Sequence, residues 1–297
     1  MKTGYFNKTG PPSPPATIAL ACRAAADALP PEPEAWRESV SLMAIALQTT
    51  RERVLAEPDR PLTPRVRRRF SALVSRRIQG WPLAYLSGHR EFWSLDFRVT
   101  QATLVPRPET EALVATVCAL IPTRPSGRLL DLGTGSGILA VALAHERPEL
   151  EIWATDLDPR ALRIARANAR RLGGRPIRFR VGDWFDALPR SLRFDAIVSN
   201  PPYLADSDPH LADDGLRFEP RRSLAAGPTG LEALLVLIRD SAARLNAGGF
   251  LALEHAPAQQ VAVHAAFRGG GWVRIQSYTD IAGHPQGSFA FRPWIVS

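Results

Sequence analysis

The most constraining feature of this chain is an alternation, from about residue 127 onward, of short apolar runs with segments of helical periodicity. The runs with strand character cover residues 129–132, 151–155, 177–181, 194–199 and 250–253, followed by 272–278 and 288–294. The helical segments between them cover residues 138–145, 159–172, 231–245 and 257–267. Parallel strands need long crossover connections, and crossover helices cover both faces of the sheet. The alternation therefore predicts an α/β fold with a doubly wound, mostly parallel sheet.

The first third of the chain has a different pattern, with helical periodicity and no strand alternation. Helices are predicted over residues 17–29, 36–47 and 63–80, and a β-hairpin over 91–99. In the third helix, Thr63 is the expected N-cap and Pro64 occupies the first helical position. We expect a disordered tail over residues 1–15, a small helical domain over 16–83, a connecting hairpin over 84–104 and the sheet-containing domain over 105–297.

Positive charge is concentrated near the start of the chain. The formal net charge is +8, and residues 1–95 contain 14 basic and 8 acidic side chains. Residues 60–80 contain seven arginines and no acidic residue. This segment is either a solvated helix face or an uncompensated surface for an acidic partner. Because the chain has two lysines and 35 arginines, genome composition explains its arginine content better than nucleic-acid binding does. We therefore expect no direct nucleic-acid partner.

Other classes of protein are excluded by what the chain lacks. Cys22 and Cys118 are its two cysteines, and the six histidines show no ligand spacing, so we expect no bound metal. No apolar run approaches the roughly 18 residues that a membrane span needs. The expected setting is a reducing cytoplasm without membrane contact. We expect the protein to be a monomer.

A glycine-rich turn lies between the first predicted strand of the sheet and the helix after it. Its residues are Gly133, Thr134, Gly135, Ser136 and Gly137, preceded by Asp131. Glycines let the backbone approach a ligand closely, and the helix N-terminus offers free N–H groups. The turn also satisfies the dinucleotide pattern G-x-G-x-x-A. By itself it therefore fits a nicotinamide cofactor, S-adenosylmethionine, or a tight turn that binds no ligand.

Acidic residues follow the next two strands. Asp156 ends a strand about twenty residues after the glycines, where a carboxylate can accept hydrogen bonds from ribose hydroxyls. Asp158 is the expected N-cap of the helix that begins at Pro159. Asp183 and Trp184 follow the third strand, where they can contact an adenine amino group and ring. The simpler alternatives are a cap role for Asp156 and a core position for Trp184.

The four residues Asn200, Pro201, Pro202 and Tyr203 are the most specific motif, and they follow an apolar strand. Two prolines stop the sheet and remove two backbone donors, which leaves a turn rich in acceptors. The Asn200 amide oxygen and the Pro201 carbonyl can face one planar NH₂ group, while Tyr203 packs on its plane. Such a clamp suits methyl transfer to a conjugated nitrogen, since acceptors stabilise charge that develops there.

Taken together, these motifs resemble those of class I S-adenosylmethionine-dependent methyltransferases, and more closely those of release-factor glutamine methyltransferases. The resemblance covers roughly residues 17–291. The closer family is indicated by residues 82–88 with Glu91 and Phe92, by 104–111, and by 217–220. The stretch 104–111 is the most specific, because sister enzymes that methylate a ribosomal-protein glutamine differ there. One departure is Gln286, where relatives usually carry Arg.

The resemblance implies a seven-stranded catalytic domain and a helical N-terminal domain that docks the substrate. The reaction would be N5-methylation of the glutamine in the Gly-Gly-Gln motif of class I peptide chain release factors, in translation termination. The cofactor-binding residues would be Gly133, Thr134, Gly135, Ser136, Gly137, Asp156, Asp183, Trp184 and Asn200. The substrate-binding residues would be Asn200, Pro201, Pro202, Tyr203, Arg107 and Glu109. The catalytic residues among these would be Asn200, Pro201 and Tyr203.

Three other functions remain open at this point. A ribosomal-protein glutamine methyltransferase would use the same clamp. A DNA or RNA adenine N6-methyltransferase would hold an adenine amino group there and phosphates on the arginines, but the chain has no large target-recognition domain. A non-catalytic binding module would not need the complete set of cofactor and clamp residues. Turnover of S-adenosylmethionine, as opposed to binding alone, would distinguish an enzyme from such a module.

Overall fold

The computed structural model describes residues 17–30, 34–122, 127–213 and 215–294. The predicted disordered tail over residues 1–15 lies outside the described residues. The chain divides into two compact units, one ending at Gly88 and the other beginning at His89. The domain boundaries expected from the sequence remain a proposal. No helix of the described ranges is both long and apolar enough to cross a membrane.

The described part of the first unit contains five helices. They are α1 (Ile18–Ala28), α2 (Ala35–Leu47), α3 (Arg51–Ala56), α4 (Pro64–Ile78) and α5 (Leu83–Ser87). The predicted start of α4 is confirmed, because the Thr63 side chain accepts a hydrogen bond from the Val66 N–H at 3.4 Å and Pro64 is the first helical residue. The sequence did not reveal α3 and α5, which are six and five residues long and too short to show helical periodicity.

The core of the first unit is formed mainly by α1, α2 and α4. Leu42 and Met43 of α2 and Val74 of α4 are fully buried in it, and Phe70 is 1% exposed. Burial of such side chains contributes about 1.5–3 kcal/mol each. The apolar stripe of α4 therefore faces the other helices, and its arginines lie on the remaining faces.

The expectation that all seven arginines of residues 60–80 are uncompensated is wrong. Arg77 makes a bidentate pair with Glu38 of α2, at 2.8 Å and 3.0 Å, and both side chains are mostly buried. Arg60 pairs with Glu57 at 2.8 Å. Both partners are acidic residues that precede residue 60. Counting charges within residues 60–80 could therefore not reveal these ion pairs. Within the described residues, the following have no ion pair: Arg65, Arg67, Arg68, Arg69 and Arg76.

The second unit contains a two-stranded hairpin and a seven-stranded sheet. The hairpin strands are β1 (His89–Phe92) and β2 (Leu95–Arg98). The sheet strands are β3 (Arg128–Leu132), β4 (Glu151–Asp156), β5 (Arg178–Val181), β6 (Phe194–Ser199), β7 (Leu245–Glu254), β8 (Val273–Thr279) and β9 (Pro285–Phe291). The helices are α6 (Glu111–Leu120), α7 (Ile138–Glu146), α8 (Pro159–Leu172), α9 (Glu232–Ser241) and α10 (Gln260–Gly269).

The strand order of the sheet is β5-β4-β3-β6-β7-β9-β8. The first five strands are parallel, and β9 runs antiparallel to both of its neighbours. This confirms the predicted doubly wound, mostly parallel sheet. The helix expected over residues 231–245 ends earlier, at Ser241, because Leu245 pairs with Phe194 and already belongs to β7.

The hairpin packs into the core of the second unit. Trp93 and Ser94 connect its strands with φ angles of 52° and 56°, and two positive φ angles are the geometry of a tight type I′ turn. Phe92 and Phe97 are buried in the same apolar cluster as the sheet. The Trp93 N–H also donates to Glu111 Oε1 at 2.8 Å. These contacts hold the hairpin against the beginning of α6.

Asn168, in the middle of α8, connects three parts of the second unit. Its side chain is fully buried. Oδ1 accepts from the Arg98 N–H at 2.9 Å, and Nδ2 donates to the carbonyl oxygens of Arg98 and Ser136, both at 2.9 Å. One side chain therefore connects α8 to the end of β2 and to the glycine-rich turn after β3, through hydrogen bonds to main-chain atoms.

We predict that Asn168→Ala destabilises the second unit by about 3 kcal/mol, because one buried backbone group of Ser136 and two partly buried ones of Arg98 lose their partners, at about 1–3 kcal/mol for a buried group and less for a partly buried one. Urea unfolding followed by circular dichroism measures the change. Asn246→Ala is the matched control, since exposed Asn246 makes one side-chain bond, to Asp195 at 2.9 Å. Equal losses of stability in the two variants would contradict a special role for Asn168.

Candidate active site

A pocket lies at the carboxyl ends of the parallel strands of the second unit. The strand order reverses between β3 and β6, so the segments after these strands diverge and leave a crevice. Several predicted site residues line the pocket: Gly133, Thr134, Gly135, Ser136, Asp156, Asp183, Trp184, Asn200, Pro202 and Arg107. The structure thus brings together residues that are separated by up to about a hundred positions in the sequence.

Four predicted site residues do not line this pocket. Gly137 lies at the start of α7, where an added Cβ would come within 3.1 Å of the Ala165 Cβ. Glu109 is exposed, Pro201 is buried and Tyr203 is half-buried beside the pocket. Gly137 therefore has a clear structural reason to be glycine, namely the close approach of α7 and α8.

The glycine-rich turn is held in shape by backbone hydrogen bonds. The N–H groups of Gly133 and Thr134 both donate to the Thr155 carbonyl oxygen at 2.9 Å. Gly133 and Gly135 have positive φ angles, of 71° and 57°, which favour glycine. A Cβ added at Gly135 would meet no atom within 4 Å. Space is therefore open directly above the turn, on the side of the pocket.

Asp131 stabilises the glycine-rich turn. Its fully buried carboxylate accepts from Thr134 Oγ1 at 2.5 Å and from the Ala140 N–H at 3.2 Å. Burial raises the pKa of Asp131 to about 7, although these two hydrogen bonds act in the opposite direction. Oδ1 has no hydrogen-bond partner among the described residues. The carboxylate does not line the pocket, so it acts on the turn and not directly on a ligand.

Asp156 has a structural role that the sequence did not reveal. Its Oδ2 accepts from the Gly135 N–H, and its Oδ1 accepts from the Asp158 N–H, both at 2.8 Å. Burial raises its pKa, and the two backbone hydrogen bonds oppose that rise. The cap of α8 is Asp158, which accepts from the Arg160 N–H at 2.8 Å, as predicted. Asp156 therefore joins β4 to the glycine-rich turn while its carboxylate lines the pocket.

Trp184 forms a wall of the pocket next to exposed Asp183. Its φ angle is 42°, and a non-glycine residue in this region costs roughly 1–2 kcal/mol. Its carbonyl oxygen accepts from Thr155 Oγ1 at 3.0 Å, and its ring packs over Gly133. Strained backbone of this kind is typical of functional sites. Trp184 is half-buried and lines the pocket, so it is not simply a core residue.

Asn200 follows β6 and is held by a residue that is distant in sequence. Its Nδ2 donates to Thr110 Oγ1 at 3.0 Å, and the Thr110 side chain is fully buried. Glu254 ends the neighbouring strand β7 and is 3% exposed. Burial raises the pKa of Glu254 to about 7, whereas the side chains of Thr110 and Asn200 favour its charged form. A buried polar cluster therefore lies directly behind Asn200.

The segment from Ala205 to Gly230 is fastened to the pocket at several points. Glu219, whose side chain is 1% exposed, accepts from the Val105 N–H at 2.8 Å and forms an ion pair with Arg107. Arg222 lies 3.8 Å from the Asp158 carboxylate, and both residues line the pocket. These contacts explain why residues 104–111 and 217–220 occur together as motifs: they are partners in the structure.

Sequence reasoning missed Thr110, Glu254, Glu219 and Arg222 as site residues. Thr110 and Glu219 lie inside stretches that were singled out, but their spacing gave no sign of what they contact. Glu254 had a usable signal, because it is a lone acid at the end of an apolar strand, as Asp156 is.

Gln286, which stands where relatives usually carry Arg, donates from Nε2 to Asp280 Oδ2 at 2.9 Å. Within the described ranges, no group of three or more His, Cys, Asp or Glu side chains could hold a metal ion.

Two protein-family models match the chain. Residues 21–88 match the PrmC N-terminal domain, and residues 109–214 match the methyltransferase small domain. The two matches fall on the helical first unit and on the sheet and pocket of the second.

Curated relatives cover most of the chain. A release factor glutamine methyltransferase from Burkholderia pseudomallei is 44% identical over 246 residues, which is 81% of this chain and 86% of the relative. A protein of the same name from Escherichia coli is 44% identical over 227 residues, or 76% of this chain and 81% of the relative. Among solved structures, the hMettl16 catalytic domain in complex with MAT2A 3′UTR hairpin 1 matches with a TM-score of 0.55 at 17% identity. It covers 70% of this chain and 77% of that chain, and it shows the fold alone.

We predict that Asp156→Ala weakens binding of S-adenosylmethionine by at least about tenfold, since charge-assisted hydrogen bonds contribute roughly 1.5–3 kcal/mol each before water compensates. Isothermal titration calorimetry measures the dissociation constant. Asp195→Ala is the matched control, because Asp195 also accepts from a backbone N–H, that of Arg128 at 2.8 Å, at the opposite end of β6. An unchanged dissociation constant in Asp156→Ala would restrict Asp156 to its structural contacts.

Proposed function

The chain belongs to the release factor glutamine methyltransferase family, and on that premise we propose its reaction. It transfers a methyl group from S-adenosylmethionine to the side-chain amide nitrogen N5 of a glutamine, that of the Gly-Gly-Gln motif in class I peptide chain release factors. The observation that carries this proposal is the amide of Asn200, which lines the pocket while its Nδ2 is engaged by Thr110. Because Nδ2 is bound to Thr110, the Oδ1 atom of Asn200 is available to a ligand.

The pocket suits S-adenosylmethionine. The open space above Gly135, which a side chain would fill, lets a ligand lie against the turn. Gly133, Thr134, Gly135 and Ser136 would hold one end of the cofactor. Asp156 would accept from its ribose hydroxyls, while Asp183 and Trp184 would contact its adenine. When bound, S-adenosylmethionine supplies an electrophilic methyl group attached to a positively charged sulfur.

Asn200 and the prolines after it would hold the substrate amide. An amide nitrogen shares its lone pair with its carbonyl group and is a weak nucleophile. The Asn200 Oδ1 and the Pro201 carbonyl can both accept from one NH₂ group, which fixes its plane and stabilises positive charge that develops on nitrogen. Tyr203 would pack beside that plane. Because burial raises the pKa of Tyr203, its hydroxyl stays neutral and does not serve as a base. As the nitrogen–methyl bond forms, the methyl–sulfur bond breaks, S-adenosylhomocysteine leaves, and the proton that the methylated nitrogen loses passes to water.

Arg107 and Glu109 would contact the protein substrate at the mouth of the pocket. Arg107 lines the pocket and is held by buried Glu219, so its position is fixed before a substrate arrives. Glu109 is exposed two residues later. The Arg107 guanidinium would offer a positive charge, and the exposed Glu109 carboxylate a negative one, to the backbone or side chains of a bound peptide.

The arginines of α4 would dock the release factor. Arg65, Arg68 and Arg69 are exposed and have no ion pair within the described residues. A basic helix face of this kind attracts an acidic partner and speeds its association. We place the protein in the cytoplasm, where release factors act, as a monomer without a nucleic-acid partner. A ribosomal-protein substrate is disfavoured because the curated relatives carry the release-factor name.

We predict that Asn200→Ala lowers the single-turnover rate of release-factor methylation by roughly 10²–10³-fold, the usual effect of removing one fixed hydrogen-bonding group. The thermal melting temperature and the cofactor dissociation constant should remain near those of the wild type. Asn200→Asp retains an acceptor but loses the Nδ2 donor to Thr110, so it should have intermediate activity at most. The substrate is a release factor with an intact Gly-Gly-Gln motif, and a Gly-Gly-Ala variant is the negative control. A near-normal rate in Asn200→Ala would overturn the clamp mechanism.

We predict that the double reversal Arg68→Glu and Arg69→Glu raises the KM for intact release factor about tenfold, because charge complementarity at a docking surface is lost. The kcat and the cofactor dissociation constant should not change. Arg163→Glu with Arg170→Glu is the matched control, since both arginines are exposed on α8. If both double variants raise KM equally, or if neither does, α4 is only a solvated face.

A further inference from the structure

We propose that Thr110 and Glu254 are positioning residues that determine which way round the amide of Asn200 is held. Together they would keep its oxygen turned toward the substrate glutamine. This inference rests on the proposed function and adds two residues to its site. Neither residue touches the substrate or the cofactor in the proposed arrangement, and both act through Asn200.

The sheet places the three residues together. Ser199 of β6 pairs with Leu253 of β7, so Asn200 and Glu254 are the next residues at the carboxyl ends of two adjacent parallel strands. Thr110 approaches from the beginning of α6, and its Oγ1 lies 3.0 Å from Asn200 Nδ2. Thr110 is fully buried and Glu254 is 3% exposed. The contact is therefore shielded from water. Hydrogen bonds are electrostatically stronger in such an interior than they are in water.

The Thr110 hydroxyl has no capping role. Thr110 is the last residue of a 3₁₀ turn, Pro108–Thr110, that continues directly into α6, and its φ and ψ angles of −66° and −18° are helical. Thr17, Thr50 and Thr63 instead have extended backbone at the starts of α1, α3 and α4, and each caps its helix with its side chain. The Thr110 hydroxyl oxygen accepts from Asn200 Nδ2, and the Thr110 side chain favours the charged form of Glu254.

The direction of these hydrogen bonds follows from the chemistry of the three groups. An ionised carboxylate only accepts, whereas a hydroxyl donates one hydrogen and can accept as well. The Thr110 oxygen accepts from Asn200 Nδ2, which leaves its hydroxyl hydrogen for the Glu254 carboxylate, whose charged form Thr110 favours. The end of the Asn200 amide that faces Thr110 must then be the NH₂ group. If the amide were rotated by 180°, its oxygen would need the same hydroxyl hydrogen that Glu254 takes.

The charge of Glu254 therefore selects the orientation of Asn200. A neutral carboxyl group can donate as well as accept, so its protonation would remove the selection. The pKa of Glu254 is raised to about 7, mainly by burial and in smaller part by the charge of Glu109, against the lowering effect of Thr110, Asn200 and Arg107. Tyr203 and Tyr278 also face this carboxylate, and burial raises the pKa of both phenols, so they stay neutral. The rate should fall as the pH decreases through about 7, when Glu254 takes up a proton.

The test compares Thr110→Val, which removes the hydroxyl at nearly constant volume, with Thr110→Ser, which retains it. We expect Thr110→Val to lower the single-turnover rate by at least about tenfold, because a misoriented catalytic group loses rate steeply. Thr110→Ser should remain within about threefold of the wild type. The cofactor dissociation constant should stay unchanged in both variants. Thr116→Val is the matched control, since the Thr116 hydroxyl donates within α6, to the Ala112 carbonyl at 2.8 Å.

A second measurement uses Glu254→Gln, whose neutral amide can donate and accept. We expect a lower rate whose pH profile lacks the inflection near 7 that is expected of the wild type, with cofactor binding retained. A wild-type rate in Thr110→Val would overturn the proposal. So would an equal loss in Thr116→Val, a failure of Thr110→Ser to restore activity, or an unchanged inflection in Glu254→Gln. If the wild-type protein does not methylate a release factor at all, the proposed function fails instead, which is a separate outcome.

Discussion

The pairing of β3 with two parallel neighbours, β4 and β6, is the constraint on which the rest of the site depends. Asp131 lies opposite Ala154 on one side and Val198 on the other, so the three strands end at nearly the same level. The glycine-rich turn, Asp156 and Asn200 therefore emerge at one edge of the sheet. The connections leave this edge in opposite directions, and the space between them becomes the pocket.

Two buried carboxylates, Asp131 and Glu254, and the half-buried one of Asp156 then stabilise the local geometry at this edge. Asp131 and Asp156 hold the glycine-rich turn, and Glu254 stands behind Asn200. Burial raises the pKa of all three above the ordinary value. Groups of this kind favour folding below their unfolded-state pKa, and that contribution is lost as the pH rises through the folded-state pKa. Near and above neutral pH, the site therefore maintains its charge pattern at some cost in stability, as sites with strained or buried polar groups commonly do.

Much of the fold and the positions of the main motifs could be predicted from the sequence. The alternation of strands and helices predicted the parallel sheet, and Gly135, Asp156 and Asn200 were each correctly placed at or just after the end of a strand. What could not be predicted were side-chain contacts between distant segments. Nothing in the spacing relates Glu219 to Arg107, or Thr110 to Asn200, because such contacts depend on how the chain between them is routed. The pairing of Arg77 with Glu38 was hidden for the same reason.

Asn168 shows how one buried side chain can connect two segments without restricting the residue types at the positions that it contacts. Its side-chain hydrogen bonds within the described ranges are all to main-chain atoms, those of Arg98 and Ser136, and every residue type other than proline presents the same N–H and C=O groups. The Arg98 side chain can therefore be replaced without breaking the connection, as long as the backbone keeps its course. Asn168 cannot be replaced as freely, since few other side chains of its size carry a donor and an acceptor side by side. Among related chains, the residue type at position 98 should thus vary, whereas position 168 should remain Asn and the core positions of the hairpin, Phe92 and Phe97, should remain apolar.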